Sequence, residues 1–475
     1  MKVCVLQPDY VTTDVDYRNY DPPRDLSLLL PDDEVKHVFL NKLTTYKQLK
    51  DLSMQRFDIY VNLCEGYLDW SVPSIDVIHS LDRLNLPYTG PDATLYDPTK
   101  VLMKYVAYCA GIKTPVFIEF DQQKELAAQV KSIDFPLFVK PAKAGDSLGV
   151  DSLSLVNNDF ELDSKIKSLQ AEGYHDILIE EYIAGREFTV LVAANPAPEQ
   201  GCTVFKPVEY VFPSSYKFKT YALKTSELHT DVNVPCDDEE LEQRLRSAAE
   251  KIFNTFSGKG YARLDFRLSA DQHLYFLEIN FTCSVFYEQG YEGSADYILR
   301  YDPMGKSGFL SHIIAEGLAR HKAKQKKYRV KGNAIMGYGI FANQLIPKGD
   351  VIFKIEESAQ RIVTKRHIQT HWTPEQQKDF RHYAYPISDE VYILWDEDPQ
   401  HWAPQNHSCE PNTIYNGLNL IALQTIHEEE ELTLDYALLL DESIGTFECH
   451  CGSKHCRKLV GGTLGNSVSS REKKL

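Results

Sequence analysis

Between Arg263 and Cys283 the sequence reads Arg-Leu-Asp-Phe-Arg-Leu-Ser-Ala-Asp-Gln-His-Leu-Tyr-Phe-Leu-Glu-Ile-Asn-Phe-Thr-Cys, and few stretches leave a chain so few options. Apolar and polar residues alternate on both sides of a polar turn at Ser269 to Gln272, which predicts two strands joined as a hairpin. A period of two puts Arg263, Asp265 and Arg267 on one face of the first strand, and Glu278 and Asn280 on one face of the second. Pairing the strands brings Asp265, Glu278 and Asn280 toward one point. Hard oxygen ligands beside an arginine suit a magnesium ion carrying phosphates. The competing reading is a solvated hairpin with its charges in water, and the rest of the chain must decide.

A chain of 475 residues is long enough for roughly two to four domains. Its 43% hydrophobic and 25% charged residues fit a globular protein. A formal charge of -17 argues against direct nucleic-acid binding or attraction to anionic lipid, while leaving basic protein tails as partners. Met1 to Tyr10 is a short apolar strand that Pro8 and Asp9 end, not a signal peptide. No apolar run is long enough to span a bilayer, so no membrane partner is expected. Cys4, Cys64, Cys109, Cys202, Cys236 and Cys283 are scattered; the other four cysteines follow position 400, three of them within eight residues. That is a reduced pattern with one local metal cluster, expected in the cytoplasm with the nucleus as the alternative.

From position 1 to about 97, the apolar runs Val3 to Leu6, Val35 to Leu40 and Asp58 to Leu63 alternate with amphipathic segments, as in a small α/β sheet. Asp97-Pro98-Thr99-Lys100 then predicts a helix start, with Asp97 as N-cap and Pro98 at the first helical position. Phe135 to Pro141 reads as a strand ending in Lys140, followed by a loop with Gly145 and Gly149. A lysine and backbone amides at such a strand end can face an anion, although a plain turn would look the same. Asp176 to Tyr182 is a strand ending in Glu180 and Glu181, and the chain turns back through Ile183-Ala184-Gly185-Arg186-Glu187 into another.

Lys100, Phe-Val-Lys-Pro to Pro141, Ile-Glu-Glu-Tyr-Ile with Gly-Arg-Glu-Phe-Thr-Val, and Tyr-Ala-Arg-Leu-Asp-Phe before Leu-Glu-Ile-Asn resemble ATP-grasp enzymes, and most of all D-alanine–D-alanine ligases. The resemblance covers roughly residues 1 to 320. It implies that Lys100 and Lys140 hold the ATP phosphates, that Glu180, Glu181 and Ile183 meet adenine, and that Glu187 meets ribose. Asp265, Glu278 and Asn280 would hold Mg2+, with Arg263 steadying an acyl-phosphate and the tetrahedral species after it. Lys217 or Lys219 would supply the lid lysine. After Asn280 the chain reads Phe281-Thr282-Cys283-Ser284, where the family has a Pro-Gly turn and a serine for the substrate carboxylate. The Gly-Gly and Ser-x-Glu pattern that meets the first D-alanine is missing too. The resemblance thus implies the nucleotide site with an amino-acid or peptide-like substrate other than D-alanine, and the option of a homodimer.

A basic run from Arg320 to Lys327 reads as a solvated linker. Beyond it come Gly337-Tyr338-Gly339, Asn406-His407-Ser408-Cys409, Glu431 to Tyr436, and Cys449-His450-Cys451 with Cys456. Cys-x-Cys-x4-Cys needs a fourth ligand to close a tetrahedral Zn2+ site; Cys409 is the nearest cysteine, with His450 or His455 as alternatives. Together these motifs resemble a SET domain with a post-SET zinc module. By that resemblance Gly337, Tyr338, Gly339, Asn406 and His407 bind S-adenosylmethionine, Phe447 covers its adenine, and Tyr436 orients a protein or peptide lysine for methyl transfer. Leu434 stands where Phe or Tyr usually helps set the number of methyls added.

The expected fold is thus α+β and multidomain. It comprises a pre-ATP-grasp α/β domain (1–97), an ATP-grasp domain of two α+β subdomains (98–319), a basic linker (320–328), a mostly-β SET domain (329–440), a post-SET zinc module (441–462) and a disordered tail (463–475). The expected function is a ligase joined to a methyltransferase. Two alternatives stand: a methyltransferase whose front half only binds a nucleotide or partner, and a ligase whose SET half is a zinc-held binding module.

Overall fold

The computed structural model describes residues 1–11, 21–68, 70–143, 148–212, 218, 232–333, 337–354, 360–386, 390–395, 405–417, 419–439 and 446–461. Lys217, Lys219 and the tail from 463 lie outside these residues. The chain divides into two compact units, Met1–Lys324 and Gln325–Leu475.

The first unit opens with a parallel sheet of β1 (Lys2–Pro8), β2 (Glu34–Leu40) and β3 (Ile59–Asn62) in the order β2-β1-β3. Val3, Cys4, Val5 and Leu6 of β1 are all fully buried, because a parallel strand is covered on both faces. Cys4 and Leu6 pack under α1 (Thr45–Ser53) and α2 (Ile75–Arg83). Val3 and Val5 share a core with Phe309, Leu310 and Ile313 of the helix Gly305–Lys324. That helix takes in the first part of the basic run, through Lys324, and a strand starts at Tyr328.

α3 (Lys100–Cys109) follows, and here the expected cap is corrected. Thr99, not Asp97, is the N-cap: its backbone is extended and its hydroxyl accepts the Leu102 amide at 3.2 Å. Pro98 therefore precedes the helix, and Lys100 becomes its first residue, with its amide bonded to the Ala142 carbonyl at 3.2 Å.

Two antiparallel sheets complete the unit. β4 (Phe117–Glu119), β5 (Leu137–Pro141), β6 (Leu155–Val156) and β7 (Ile177–Glu181) run in the order β4-β7-β5-β6. β8 (Gly185–Ala194), β9 (Cys202–Val204), β10 (Val208–Tyr210), β11 (Asn233–Pro235), β12 (Tyr261–Ser269) and β13 (Leu274–Asn280) form the other, ordered β11-β10-β8-β12-β13 with β9 on β8. The expected hairpin is β12–β13. Leu264, Phe266 and Leu268 point into a core with Phe188, Val190 and residues of the helix Glu239–Thr255. The alternation then leaves Arg263, Asp265 and Arg267 for the other face. Only Tyr182 to Ala184 separate β7 from β8, so the chain crosses from one sheet to the other at the acids of β7.

The second unit is built mainly of short strands. Tyr328–Asn333 pairs with Gly337–Ala342, Asn419–Ala422 lies between Val351–Lys354 and Thr413–Asn416, and Asn406–His407 runs parallel to Thr433–Leu434. Ile340, Ile346, Leu420, Ile426 and Leu432 form its core and are fully buried. Among the described residues of either unit, no helix is long and apolar enough to cross a membrane.

Candidate active sites

In the first unit the strand ends and the hairpin converge on one cleft. Lys100, Lys140, Asp265 and Glu278 are among its walls. So are Glu180, Glu181, Ile183 and Glu187. Asp265 stands directly opposite Glu278 in the hairpin register, and Arg263 opposite Asn280. A register irregularity follows Asp265, so the carboxylate pair sits where the ladder is locally twisted.

The charges in the cleft are tightly placed. Glu180 is 3% exposed and lies between two ammonium groups, Lys104 Nζ at 2.7 Å and Lys140 Nζ at 2.5 Å. Burial alone would raise the Glu180 carboxyl, but those two lysines hold it down to about 2. Burial lowers the pKa of Lys100, against the pull of Glu278. Glu187 accepts from Arg267 Nη2 at 2.9 Å and Nε at 3.1 Å, and Arg267 Nη1 also donates to the Ile183 carbonyl at 3.2 Å. Arg263 grips Asp265 through two bonds of 3.1 and 3.3 Å. Asn280 Oδ1 accepts the Thr282 amide at 2.9 Å and its hydroxyl at 3.2 Å.

Sequence reasoning missed Lys104, although it lies one helical turn beyond Lys100 on α3 and so shares its face. It also assigned no role to Arg267, which ties the β7–β8 turn to Glu187. Phe138, Tyr182 and Phe218 line the cleft as well; the first two rings stack at 6.3 Å and Phe218 meets Phe138 edge-on at 5.0 Å. Such aromatic faces can stack on a flat heterocycle.

A second cluster was also missed. Arg24 is 2% exposed and pairs with Asp21 and Glu65, at 3.3 Å each. Ser284 donates to Glu65 at 2.7 Å and Tyr287 to Asp21 at 2.5 Å. These partners come from distant parts of the chain, so no local pattern announces them.

In the second unit Gly337 takes a φ of +84°, a conformation that favours glycine, and Tyr338 beside it is 58% exposed. His407 Nδ1 accepts the Tyr436 amide at 3.1 Å, which places the ring proton on Nε2, 3.3 Å from Cys409 Sγ. Burial lowers the His407 pKa and favours that neutral form. The Tyr436 hydroxyl donates to the Gln405 carbonyl, and burial pushes its pKa up to about 12. The rings of His407, Tyr436 and Phe447 lie 5.4 to 6.0 Å apart.

Cys409, Cys449, Cys451 and Cys456 bring their sulfurs within 4.8 Å of one another. Tetrahedral zinc–thiolate bonds place sulfurs about 3.8 Å apart, and Cys409 Sγ lies 3.8 Å from Cys449 Sγ. The donor set fits zinc. His455 is held by Glu410 at 2.5 Å and His450 faces Glu448 at 3.9 Å, so neither alternative belongs to the cluster. Arg457 links the thiols to the aromatic site: Nε donates to Cys409 Sγ at 3.4 Å, and Nη2 donates to Asp435, the residue before Tyr436.

These two units define a protein of the ATP-grasp class carrying a second, SET-type unit. The family model "D-ala D-ala ligase C-terminus" matches residues 107–286, and the "SET domain" model matches 337–437. The D-alanine–D-alanine ligase of Bacillus velezensis is 30% identical over 260 residues, spanning 52% of this chain and 68% of that protein. The Bordetella petrii enzyme of the same name is 30% identical over 207 residues, 42% of this chain; the chain spans only 60% of that relative's length. A solved D-alanine–D-alanine ligase of Bacillus anthracis complexed with ATP aligns with 68% of this chain and 99% of its own, at 19% identity and a TM-score of 0.49. The chain belongs to the D-alanine–D-alanine ligase family and carries a SET domain after the family region.

Proposed function

We propose that the chain is bifunctional: a Mg2+- and ATP-dependent carboxylate–amine ligase joined to an S-adenosylmethionine-dependent protein-lysine N-methyltransferase. The observation that carries the ligase reading is Asp265 facing Glu278 in one cleft with Lys100 and Lys140. Hard carboxylates beside ammonium groups suit a metal–triphosphate. In the reaction a substrate carboxylate oxygen bonds to the γ-phosphorus as the β–γ bridging bond breaks, releasing ADP. An amine then bonds to the acyl carbon and inorganic phosphate leaves. Bound magnesium would neutralise charge on the transferring phosphoryl group. Lys100 and Lys140 would hold the phosphates; Glu180, Glu181 and Ile183 the adenine; Glu187 the ribose. Arg263 would face the developing oxyanion.

For the second unit, Tyr436 would orient a neutral lysine amine toward the methyl donor. Gly337, Tyr338, Gly339, Asn406, His407 and Phe447 would enclose that donor, and the thiols would hold structural zinc. The domain limits at 97, 319, 328, 440 and 462, a cytoplasmic or nuclear location, protein or peptide lysine as partner, and a homodimer belong to the same proposal.

One observation favours the alternative in which the first unit only binds a nucleotide or partner: both lone pairs of Asn280 Oδ1 are taken by Thr282. Incubating the protein with Mg-ATP and a panel of amino acids separates the readings. Release of ADP and phosphate that depends on one amino acid supports the ligase; ATP binding without turnover across the panel supports the alternative. Labelled methyl transfer to basic protein tails tests the second unit, and labelling unchanged by Tyr436→Phe removes the role given to that tyrosine.

A further inference from the structure

Lys165 was assigned no role by the sequence motifs, and its surroundings give a cation little reason to be there. It lies on the buried face of the helix Asp159–Ala171 with Leu162, Ile166 and Leu169, and is 2% exposed. Those three apolar neighbours share a core with Val139 of β5 and Ile179 of β7. Burying an ammonium group costs free energy, and an apolar residue of similar volume is often as stable or more so. What the lysine adds is a tether. Its Nζ donates to the Gly149 carbonyl at 3.0 Å and to Asp151 Oδ1 at 2.8 Å. Asp151 in turn accepts the Leu153 amide at 3.0 Å, and its own amide donates to Ser154 Oγ at 3.1 Å.

The tethered segment reaches the cleft of the first unit. Gly149 has a φ of +72°, and a Cβ there would stand 2.7 Å from Pro141 Cγ and 3.1 Å from Leu169 Cδ2. The chain therefore passes tightly between the end of β5 and the helix. On either side of Gly149, Leu148 and Val150 join Phe138, Lys140 and Pro141 in the cleft wall. Lys165 holds that wall from the core side, through its backbone. Apolar side chains gain by covering the face of a base or a sugar and gain nothing from a triphosphate.

We propose that Lys165 is a positioning residue for the nucleotide, fixing Leu148 and Val150 as an apolar wall of the cleft without touching the ligand. The inference rests on the ATP reading of that cleft. Its test is equilibrium binding of Mg-ATP to the full-length protein, read beside urea unfolding without nucleotide. Lys165→Met should weaken Mg-ATP about tenfold, the order expected when one apolar side chain stops covering a ligand, while the urea midpoint stays at or above that of wild type. The Asp151 side chain is half-exposed, so Asp151→Ala leaves the core intact. It should weaken Mg-ATP by about threefold, since one of the two tethering bonds remains. Val150→Ala should weaken Mg-ATP by itself, and adding Lys165→Met to it should cost much less than the full factor, because both act on one wall.

Unchanged Mg-ATP affinity in Lys165→Met overturns the inference. So does a weakening that comes with a lowered urea midpoint, or one that adds in full to that of Val150→Ala; either would make the lysine a support of the core alone. Wild-type protein that binds no Mg-ATP overturns the nucleotide reading and this inference with it.

Discussion

At the scale of single residues, the cleft of the first unit is governed by how its buried charges are shared. Glu180 keeps its charge because Lys104 and Lys140 flank it. Lys104→Met removes one flank and should destabilise the first unit by about 2 kcal/mol, the usual cost of losing a hydrogen bond to a charged group. Urea unfolding at pH 7 measures it, and the loss should shrink in a Glu180→Gln background, because the two residues are in contact. Glu65 behaves in the opposite sense. Burial raises its carboxyl from 4.5 to about 7, with Arg24 opposing. A raised folded-state pKa gives stability that is full below the unfolded value and is lost as pH rises through the folded one. Between about pH 4.5 and 7 the unit should therefore lose on the order of 3 kcal/mol through this group. Glu65→Gln, which can still accept from Arg24 and bond to Ser284, should flatten that slope in urea titrations from pH 5 to pH 8. An unchanged slope would show that another group controls it.

At the scale of elements, the decisive object is the β12–β13 hairpin and the strand it leans on. Its existence and faces were legible in the sequence, since strict alternation leaves one choice of inward residues, and the observed register sets Asp265 against Glu278. The start of α3 was legible only to within two residues, because Asp97 and Thr99 are both good caps and the choice depends on local backbone. Lys104, Arg267 and the Arg24 cluster were illegible as partners for a different reason. Arg24 to Val285 is a contact across 261 residues, and such a pairing leaves no local periodicity. The strand β8 begins at Gly185, where φ is +146° and a Cβ would meet the Leu268 carbonyl oxygen at 2.0 Å. Gly185→Ala must therefore push β8 from the end of β12 and should cost at least about 2 kcal/mol. Hydrogen exchange should report faster opening of amides at Arg186 to Phe188 than in the centre of β12. Uniform protection would mean that the strands absorb the side chain without parting.

At the scale of the whole molecule, each hydrophobic core is made from residues of one unit: Val3, Leu191 and Phe309 in the first, Ile340, Leu420 and Leu432 in the second. Chains with separate cores commonly unfold in separate steps. We expect two calorimetric transitions, each answering to its own ligand. Mg-ATP at about one hundred times its dissociation constant should raise one of them by an amount equivalent to about 2.7 kcal/mol and leave the other in place. A strong zinc chelator should lower only the other. The Cys409–Cys449–Cys451–Cys456 cluster lies within the second unit and is joined through Arg457 to Asp435, the residue before Tyr436. Structural zinc couples directly to folding, so Cys451→Ser should lower the same transition that the chelator lowers, and chelator should then have no further effect on it. Losing zinc stoichiometry in Cys451→Ser without moving either transition would separate the metal from the stability of the unit. A single transition shifted by both Mg-ATP and chelator would show instead that the two cores melt together as one cooperative structure.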